Sequence, residues 1–417
     1  MISRTVERLF PGFVWLFLCV GLLPLGAEPS TTIEISAPDC DYRDCPVTVE
    51  VSAPASAKSA TLTDARSGQN IVAQLWRDGD KAMLTWIISD LKKDSAAAYK
   101  VAFSDSAPAA NGGVAIRKGD EATAIEIGGK LFTRYITTGA PKPYFYPVLD
   151  AAGNRVTRDY PVKANELEIK LKDNKDHPHQ RSLWFTHGEV NGIDFWGESP
   201  KSGKTVHREF TSIVEGPILG RFCAATDWIA SEGKKICEDR RDIRFYNVSN
   251  GRLFDWTIAI KATEGPVKFG DTKEGMFGFR MASTIRVDSR KTDPTVGGKI
   301  VNSDGLTDDK AWGKAANWVD YYGPVAGKTV GITVFDAPDS FRHPTYWHVR
   351  TYGLFAANPF GLHDFPGGKG KDGSHTIEQG GSITFHYRIL IHDGTTEDAP
   401  IAQVWEQFAK PPKVTVK

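Results

Sequence analysis

The chain has 417 residues, in which 51 lysine and arginine residues balance 51 aspartate and glutamate residues. The resulting formal net charge of zero gives no overall basic field that would recruit nucleic acid or hold the protein on an anionic membrane. A content of 11 tryptophans and 40 glycines favours short strands, tight turns and aromatic binding surfaces.

The N-terminal segment is typical of a removable secretion signal. Arg4 and Arg8 give it a positive start, residues 13–25 are mostly apolar, and the small residues Gly26 and Ala27 follow. The apolar run is shorter than the roughly 20 residues of a membrane-spanning helix, although an uncleaved anchor is the alternative. We therefore expect residues 1–27 to be a signal peptide, the mature protein to be periplasmic or extracellular, and no membrane span to remain after cleavage.

Four cysteines follow this signal, namely Cys40, Cys45, Cys223 and Cys237. Export permits disulfide bonds, and the even count with local pairing predicts that Cys40 bonds to Cys45 and Cys223 to Cys237. Buried free thiols are the alternative. No cysteine or histidine partner lies at zinc-finger spacing from either pair.

Residues 28–107 contain several short runs in which apolar and polar residues alternate, such as TTIEIS, VTVEVSAP and YKVAFSD. This period of two is typical of half-buried strands. Several such strands at regular spacing predict a small immunoglobulin-like sandwich with a spacing or docking role. The stretch SDSAPAANGG follows, and its composition predicts a linker at residues 108–120.

Residues 121–417 predict a larger β-domain. Strand-like runs include AIEIGGKLFTRYIT, LEIKL, LFDWTIAI and SITFHYRILIH. Only residues 399–409 have a helical pattern, which places Ile401, Val404, Trp405 and Phe408 on one face. So many strands with so few helices predict an all-β protein whose second domain is a large antiparallel sandwich or barrel.

Imidazoles and carboxylates are concentrated in DHPHQRSLWFTHGEVNGIDFWGE, residues 176–198. His177 and His179 would share one face of a strand, and His187 could join them through a hairpin. The three imidazoles could bind a divalent metal, or one of them could act as a general acid or base near neutral pH. A hydrogen-bonded structural loop is the alternative.

Further contacts to a substrate are predicted from this segment, from Arg280 and from FRHPTYWHVRTYGLFAANPFG, residues 341–361. Guanidinium and imidazole donors among aromatic residues suit a polyhydroxylated or acidic ligand. Packed tryptophans and arginines paired with acids are the structural alternative. The candidate substrate-binding residues are His177, Trp184, Asp194, Trp196, Arg280, His343, Trp347, His348, Arg350 and Asn358.

Two carboxylates are candidate catalytic bases. Glu274 lies in DTKEGMFGFRMAS among apolar residues and glycines, where burial would raise its pKa. Glu378 comes directly before a strand-like run, a common position for functional residues. A salt-bridged strand end is the structural alternative for Glu274.

Four long motifs together resemble the PmoA-like family of exported bacterial proteins over about residues 121–394. They are GGKLFTRYITTGAPKPYFYPVLDAAGNRVTRDYP, DHPHQRSLWFTHGEVNGIDFW, KEGMFGFR and RHPTYWHVRTYGLFAANPFG. The resemblance implies a galactose-mutarotase-like supersandwich. Because mutarotases use a histidine acid and a glutamate base on the concave sheet, it also implies His187 or His179 as the acid and Glu274 or Glu378 as the base.

These features predict an exported carbohydrate-active protein that performs acid/base chemistry on a sugar or glycoside, of the epimerase, lyase or glycosidase type. A non-catalytic glycan-binding or cell-envelope structural protein is one alternative, and a metal-dependent oxidase is another. The expected partner is a carbohydrate, and the sequence implies no cofactor firmly. It contains no Rossmann or Walker glycine motif, no Gly-x-Ser-x-Gly elbow and no basic-aromatic nucleic-acid stripe.

Overall fold

The strands predicted in the N-terminal part form a sheet that bends around its own core. The computed structural model describes Met1 and residues 31–107 and 112–417. β4 pairs with β3 through residues 70–72 and with β5 through residues 73–78, so the sheet turns at β4 and encloses one apolar cluster. The strands of this part are β1 (Thr32–Ser36), β2 (Tyr42–Val51), β3 (Ser59–Asp64), β4 (Asn70–Asp78), β5 (Lys81–Leu91) and β6 (Ala96–Ser104).

The rest of the described chain is also mostly antiparallel strand. Two 3-10 helices, Val287–Lys291 and Asp308–Ala311, interrupt it. The remaining elements are β7 (Val114–Arg117), β8 (Ala122–Ile127), β9 (Lys130–Ile136), β10 (Tyr144–Phe145), α1 (Glu166–Lys170), β11 (Leu183–His187), β12 (Lys204–Val214), β13 (Leu219–Ile229), β14 (Lys235–Tyr246), β15 (Arg252–Lys261), β16 (Val267–Phe269), β17 (Gly275–Arg280), β18 (Lys299–Asn302), β19 (Trp318–Val325), β20 (Lys328–Asp336), β21 (Trp347–Val349), β22 (Leu354–Ala357), β23 (His375–Ile377), β24 (Ser382–Asp393), α2 (Ile401–Ala409) and β25 (Lys413–Val416).

Two eight-stranded sheets pack face to face and form the large antiparallel sandwich that the sequence predicts. Sheet I has the order β21-β22-β17-β11-β10-β9-β8-β7, and sheet II has the order β12-β13-β14-β15-β24-β20-β19-β18. Aromatic residues join the two sheets: the ring centroids of Phe145 and Trp256 are 5.1 Å apart, and those of Phe277 and Tyr387 are 4.6 Å apart. The predicted all-β class is therefore confirmed.

Sheet I has a second, outer face that points away from this core. Side chains alternate between the two faces of a strand, so the residues between buried core positions of sheet I face outward. A row of such residues crosses five strands in register: Tyr144, Trp184, Gly278, Ala356 and His348. The small Gly278 in the middle of this row makes room for the indole of Trp184, whose nearest ring atom lies 2.9 Å from the position that a Cβ atom would take there.

Two local predictions are wrong. The run LEIKL, predicted as a strand, belongs largely to helix α1, because the side chain of Asn165 accepts hydrogen bonds from the backbone N–H groups of Leu167 and Glu168 and starts a helical turn. The predicted linker 108–120 contains strand β7, in which Val114 and Ile116 are buried in the sandwich core. The predicted helix at residues 399–409 is confirmed as α2.

The first sheet is tied to the remainder of the chain, and residues 31–417 form one unit. Strand β25 near the C-terminus pairs with β1, which makes it the seventh strand of the N-terminal sheet. The buried amide of Gln74 donates to the carbonyl of Leu219 at 2.9 Å and accepts from the N–H groups of Ile218 and Leu219. The division into domains at residues 28–107 and 121–417 stays a prediction.

The N-terminal signal prediction and part of the linker lie outside the described residues. In residues 31–107 and 112–417, no helix has the length and apolar character needed to cross a membrane.

The predicted disulfide bonds are absent, and all four cysteines of the described chain are buried free thiols. In the pairing of β13 with β14, Cys223 lies opposite Asp242 and Cys237 lies opposite Trp228. Five residues of strand therefore separate the two cysteines, about 17 Å at ~3.4 Å per residue, whereas disulfides need Cα atoms within about 7 Å. Cys223 and Cys237 are therefore near in sequence but far apart along the paired strands β13 and β14.

We expect Cys223 and Cys237 to be alkylated by iodoacetamide when the protein is denatured without a reducing agent, because no bond protects them. Peptide mass spectrometry would detect both modified cysteines, and a sample reduced before alkylation is the control. A peptide pair linked through these two cysteines in the unreduced sample would contradict the assignment.

Candidate functional site

A polar cleft lies where β11 leaves sheet I and β17 enters it. Because the two strands are antiparallel, with His187 opposite Gly275, the end of β11 and the start of β17 share one edge. The cleft has a volume of about 280 Å³, close to the lower end of the range of small-ligand sites, ~300–1,000 Å³. It is lined by His177, His179, Gly188, Asp194, Trp196, Gly197, Thr272 and Glu274.

His177 and His179 reach the cleft from a β-turn rather than from one strand face, which corrects the predicted geometry. The N–H group of Gln180 donates to the carbonyl of His177 at 3.0 Å and closes the turn. Pro178 occupies the second position, which its fixed φ favours. His177 itself has φ of 47°, in the left-handed region that non-glycine residues rarely adopt. Backbone strain of this kind is concentrated at functional sites.

The ring of His177 is fixed by two neighbours. Its Nδ1 atom lies 2.7 Å from Oδ2 of Asp176, and the ring stacks on Tyr352 with the planes inclined by 8° and centroids 5.1 Å apart. Burial of Asp176 opposes its ionisation, but its hydrogen bond to His177 and the charges of Arg280 and Arg158 hold the pKa of its carboxyl well below the usual range. An ionised Asp176 therefore orients the imidazole and leaves Nε2 for a ligand.

A buried ionic cluster supports this pair from below. Arg158, Arg280 and Arg286 all contact Oδ1 of the fully buried Asp173, at 3.1, 2.5 and 3.0 Å. Burial disfavours the charged form of Asp173, but Arg280, Arg158 and Arg286 outweigh it and lower the pKa of the carboxyl. Arg158 also donates to the carbonyl of His177 at 2.8 Å, so the cluster holds the turn in place.

Glu274 enters the cleft from the loop before β17. Its carbonyl accepts a hydrogen bond from the N–H group of Gly188 at 2.6 Å. A Cβ atom on Gly188 would lie 2.8 Å from that of Glu274, so only glycine permits this approach. Burial raises the pKa of Glu274, although the charges of Lys273 and His177 oppose the shift. The predicted base is thus in the cleft, with a pKa shifted in the direction that general-base catalysis requires.

His179 and Asp194 also line this cleft. Burial, with the charges of Lys142 and His177, lowers the pKa of His179 to about 4, so its imidazole is neutral near pH 7. Asp194 Oδ1 accepts from the N–H groups of Trp196 and Gly197 at 2.8 and 2.9 Å. Asp194 therefore shapes the loop as well as the cleft wall.

His187 lies behind the cleft, and the predicted set of three histidines does not form. It is completely buried, and Nε2 contacts the carbonyl oxygen of Gly270 at 2.9 Å. Burial lowers its pKa to about 4. Within the described ranges, no group of three or more histidine, cysteine, aspartate or glutamate residues has the arrangement of a metal site.

The segment 341–361 contributes to the site only in part. His348 faces the outer side of sheet I, where its Nδ1 accepts from Nε1 of Trp312 at 2.9 Å. The Arg350 guanidinium lies beside Tyr352, with 5.7 Å between its carbon and the ring centroid. Because His348 is only 2% exposed, Arg350 is the residue that extends the site from the His177–Tyr352 stack along the sheet.

Other residues predicted to contact a substrate are structural. Trp184 and Trp347 are completely buried, so they pack in the protein rather than present free aromatic faces. Trp196 lines the cleft but is only 2% exposed and presents no free aromatic face. His343 contacts Asp336 at 2.9 Å and stacks on Trp405 of α2, away from the cleft.

Arg280, Asn358 and Glu378 are also placed differently from their predicted roles. Arg280 is completely buried in the ionic cluster. Asn358 is buried and donates to the carbonyl of Thr272 at 2.9 Å, so it positions the loop that carries Glu274. Glu378 is exposed in the turn after β23 and does not line the cleft, which makes it unsuitable as the base.

A larger cavity of about 570 Å³ lies near Asp159 and Glu168. Burial raises the pKa of Glu168 to about 7, but both of its oxygens accept from backbone N–H groups, of Asp159 at 2.6 Å and Tyr160 at 2.9 Å. Because these carboxylate oxygens anchor the chain around α1, the smaller cleft remains the better candidate site.

Sequence reasoning did not select the residues that hold the site together. Asp176 has a local signal, because it is adjacent in sequence to His177. Arg158, Asp173 and Tyr352 act through contacts across long sequence separations, which a single sequence does not show.

The fold and the cleft define an all-β protein with an ionisable site at the edge of a large antiparallel sandwich. The chain belongs to the DUF6807 family, described as a family of unknown function, whose model matches residues 122–406. None of the comparisons shows the PmoA-like family that the motifs resemble. The search of curated proteins found no match.

Two solved structures match at low TM-scores. An α-mannosidase from Enterococcus faecalis is 10% identical with a TM-score of 0.42; the match covers 93% of this chain and 46% of that one, so this chain spans less than half its length. A galactose mutarotase-like protein from Lactobacillus casei is 10% identical with a TM-score of 0.26; the match covers 67% of this chain and 100% of that one. Likenesses this distant carry no argument about substrate or reaction.

We expect Asp173→Asn to lower the free energy of unfolding by about 3–5 kcal/mol, because it leaves three clustered guanidinium groups without their shared counter-charge. Urea denaturation followed by tryptophan fluorescence would measure the change. Asp304→Asn, at an exposed turn position, is the control and should stay within about 0.5 kcal/mol. A small effect at Asp173 would show that the cluster contributes little to stability.

The same cluster should make stability fall at acid pH. The pKa values of Asp173 and Asp176 are lowered in the folded protein, so their stabilisation is complete above the pKa of unfolded aspartate, about 3.9. It is lost as the pH falls through the lower folded values. We therefore expect the difference between the wild type and Asp173→Asn to shrink below about pH 4, and a constant difference would contradict this.

Proposed function

We propose that the protein is an exported carbohydrate-active enzyme that transfers protons between a sugar or glycoside and the side chains of His177 and Glu274. The observation that carries the proposal is that these two side chains line one cleft although 97 positions separate them in the sequence (274 − 177). Acid/base catalysis requires two such groups within reach of one substrate.

His177 is the proposed acid. The carboxylate of Asp176 binds Nδ1 and orients the ring, while Nε2 can deliver a proton to a leaving or ring oxygen. The two histidines that the mutarotase resemblance implies are less suitable. His187 lies behind the cleft, and His179 has a pKa of about 4 and carries no transferable proton near pH 7.

Glu274 is the proposed base. A carboxylate with a raised pKa holds an abstracted proton better than an ordinary one, and Lys273, 3.8 Å from Oε1, favours its charged form before the reaction. A paired acid and base suit epimerisation, elimination or hydrolysis at a sugar. Epimerisation removes a proton from a sugar carbon and returns one to the same carbon. Elimination removes a proton from a carbon and hydrolysis removes one from water, and in both the leaving oxygen gains a proton.

A non-catalytic glycan-binding protein is the second candidate. The observation that favours it is the 40% exposure of the Glu274 side chain, because water weakens electrostatic effects on a catalytic carboxylate. Binding would require the cleft and its hydrogen-bonding groups but no proton transfer.

We expect a screen of plant and algal oligosaccharides, with products detected by mass spectrometry, to reveal turnover. Glu274→Gln keeps the shape of the side chain but cannot ionise, and it should lower kcat by about 10²–10⁴-fold. His177→Gln should have a comparable effect. Glu378→Gln is the matched control, because it makes the same change at an exposed carboxylate outside the cleft, and it should retain wild-type kcat.

The pH profile tests the assignment of the base. Activity should fall as the pH drops through the pKa of Glu274, which burial raises above 4.5, because protonated Glu274 cannot accept a proton. This acid limb should be missing in Glu274→Gln. If the Glu274 and His177 variants keep full turnover, the mechanism is wrong; if the wild type binds glycans without converting any, the binding protein is favoured.

A further inference from the structure

The guanidinium of Arg350 is a cation without a partner beside the proposed site. Within residues 31–107 and 112–417, its side chain forms no ion pair and no hydrogen bond. The residue is half-buried. Leaving a partly desolvated charge unpaired is unfavourable, so a group that the protein itself does not supply would complete this position.

Two aromatic rings hold the guanidinium in place. Its central carbon lies 4.7 Å from the ring centroid of Trp312 and 5.7 Å from that of Tyr352. Cation–π contacts of this kind fix the position of the cation without using its N–H donors. Those donors stay available, in the planar fork that matches a carboxylate or a sulfate.

The position of Arg350 links it to the catalytic pair. Tyr352 stacks on His177, so the order along the outer face is Arg350, Tyr352 and His177. Burial lowers the pKa of His348 to about 3, and the charges of Arg350, Lys273 and His177 add to this effect. One ligand of a few sugar units could therefore contact both Arg350 and the cleft.

The neighbouring arginines are already neutralised. Arg158 and Arg280 contact Asp173 and Asp176, and Arg286 contacts Asp173 and also Asp288 at 2.8 Å. Three carboxylates thus match these three guanidinium groups. Arg350 is a further positive charge beside these three, and no carboxylate of the described residues pairs with it.

We propose that Arg350 binds an anionic substituent of the substrate, a carboxylate or a sulfate ester, so that the protein acts on acidic rather than neutral glycans. This specificity rests on the proposed function, since it places the sugar that carries the substituent beside His177 and Glu274. The shared chemistry is a planar or tetrahedral oxyanion on a sugar ring, and both types accept paired hydrogen bonds from a guanidinium.

Isothermal titration calorimetry with matched oligosaccharides tests the proposal without requiring turnover. Trigalacturonate and its methyl ester differ only in the charge of the carboxyl groups. A κ-carrageenan oligosaccharide and its desulfated form differ only in the sulfate esters. We expect the charged member of at least one pair to bind about tenfold more tightly than its neutral form, as a charge-assisted hydrogen bond implies, and which pair responds identifies the substituent.

Variants then assign the preference to Arg350. Arg350→Gln should remove the difference between charged and neutral ligands, and Arg350→Lys should restore part of it, which also shows that the site still folds. Arg134→Gln is the matched control: it removes the same charge from an exposed position of β9 in sheet I and should leave the preference unchanged.

The outcomes separate this inference from the proposed function. Equal binding of charged and neutral forms, failure of all four ligands to bind, or a preference that survives Arg350→Gln would overturn the role of Arg350. A preference that depends on Arg350, found in a protein that converts no glycan, would support the anion site and contradict the proposed catalysis. Turnover of neutral glycans without any charge preference would support the proposed catalysis and contradict the anion site.

Discussion

The negative charge of one buried carboxylate, which three guanidinium groups contact, is the interaction on which the site depends. Arg158, Arg280 and Arg286 come from three different segments, and all meet at Oδ1 of Asp173. Without that charge the three cations would repel one another in a medium of low dielectric constant. With that charge in place, the three arginines hold the turn that carries His177 against the C-terminal end of β17. Glu274 directly precedes the N-terminal end of the same strand.

Small residues give this framework its shape. Gly278 and Ala356 lie side by side in the outward-facing row of sheet I, between the bulkier Trp184 and His348. A Cβ atom at position 278 would lie 2.9 Å from the Trp184 ring, so the indole packs flat over the glycine. The outer face of sheet I therefore forms the base of the site, and the loops around it carry the ionisable groups.

The sequence predicts the elements of the fold better than the chemistry of the site. Alternation predicts strands such as β1, β6 and β24, and helical spacing predicts α2, because both patterns record burial along a single element. The concentration of ionisable residues near His177 and the surroundings of Glu274 also identify two of the segments that meet at the cleft. Neither pattern records which elements pack together.

That limit explains the wrong assignments. His187 is the last residue of β11, and the rings of Phe269 and Phe360 pack against its imidazole in the buried interior. Tryptophan rings are suited to stacking on sugar rings, but both faces of the Trp184 and Trp347 rings are covered by protein. The role of His177 depends on Asp173 and Arg158, whose importance is visible only when the chain is folded.

The pairing of β25 with β1 has a consequence for biosynthesis. The first and last strands of the described sheets hydrogen-bond to each other, with Ile33 opposite Val416. Contacts of such large sequence separation form late and slowly. A nascent chain can therefore not complete its N-terminal sheet until residue 416 has left the ribosome, and in the meantime β1 has an open edge that other strands can join.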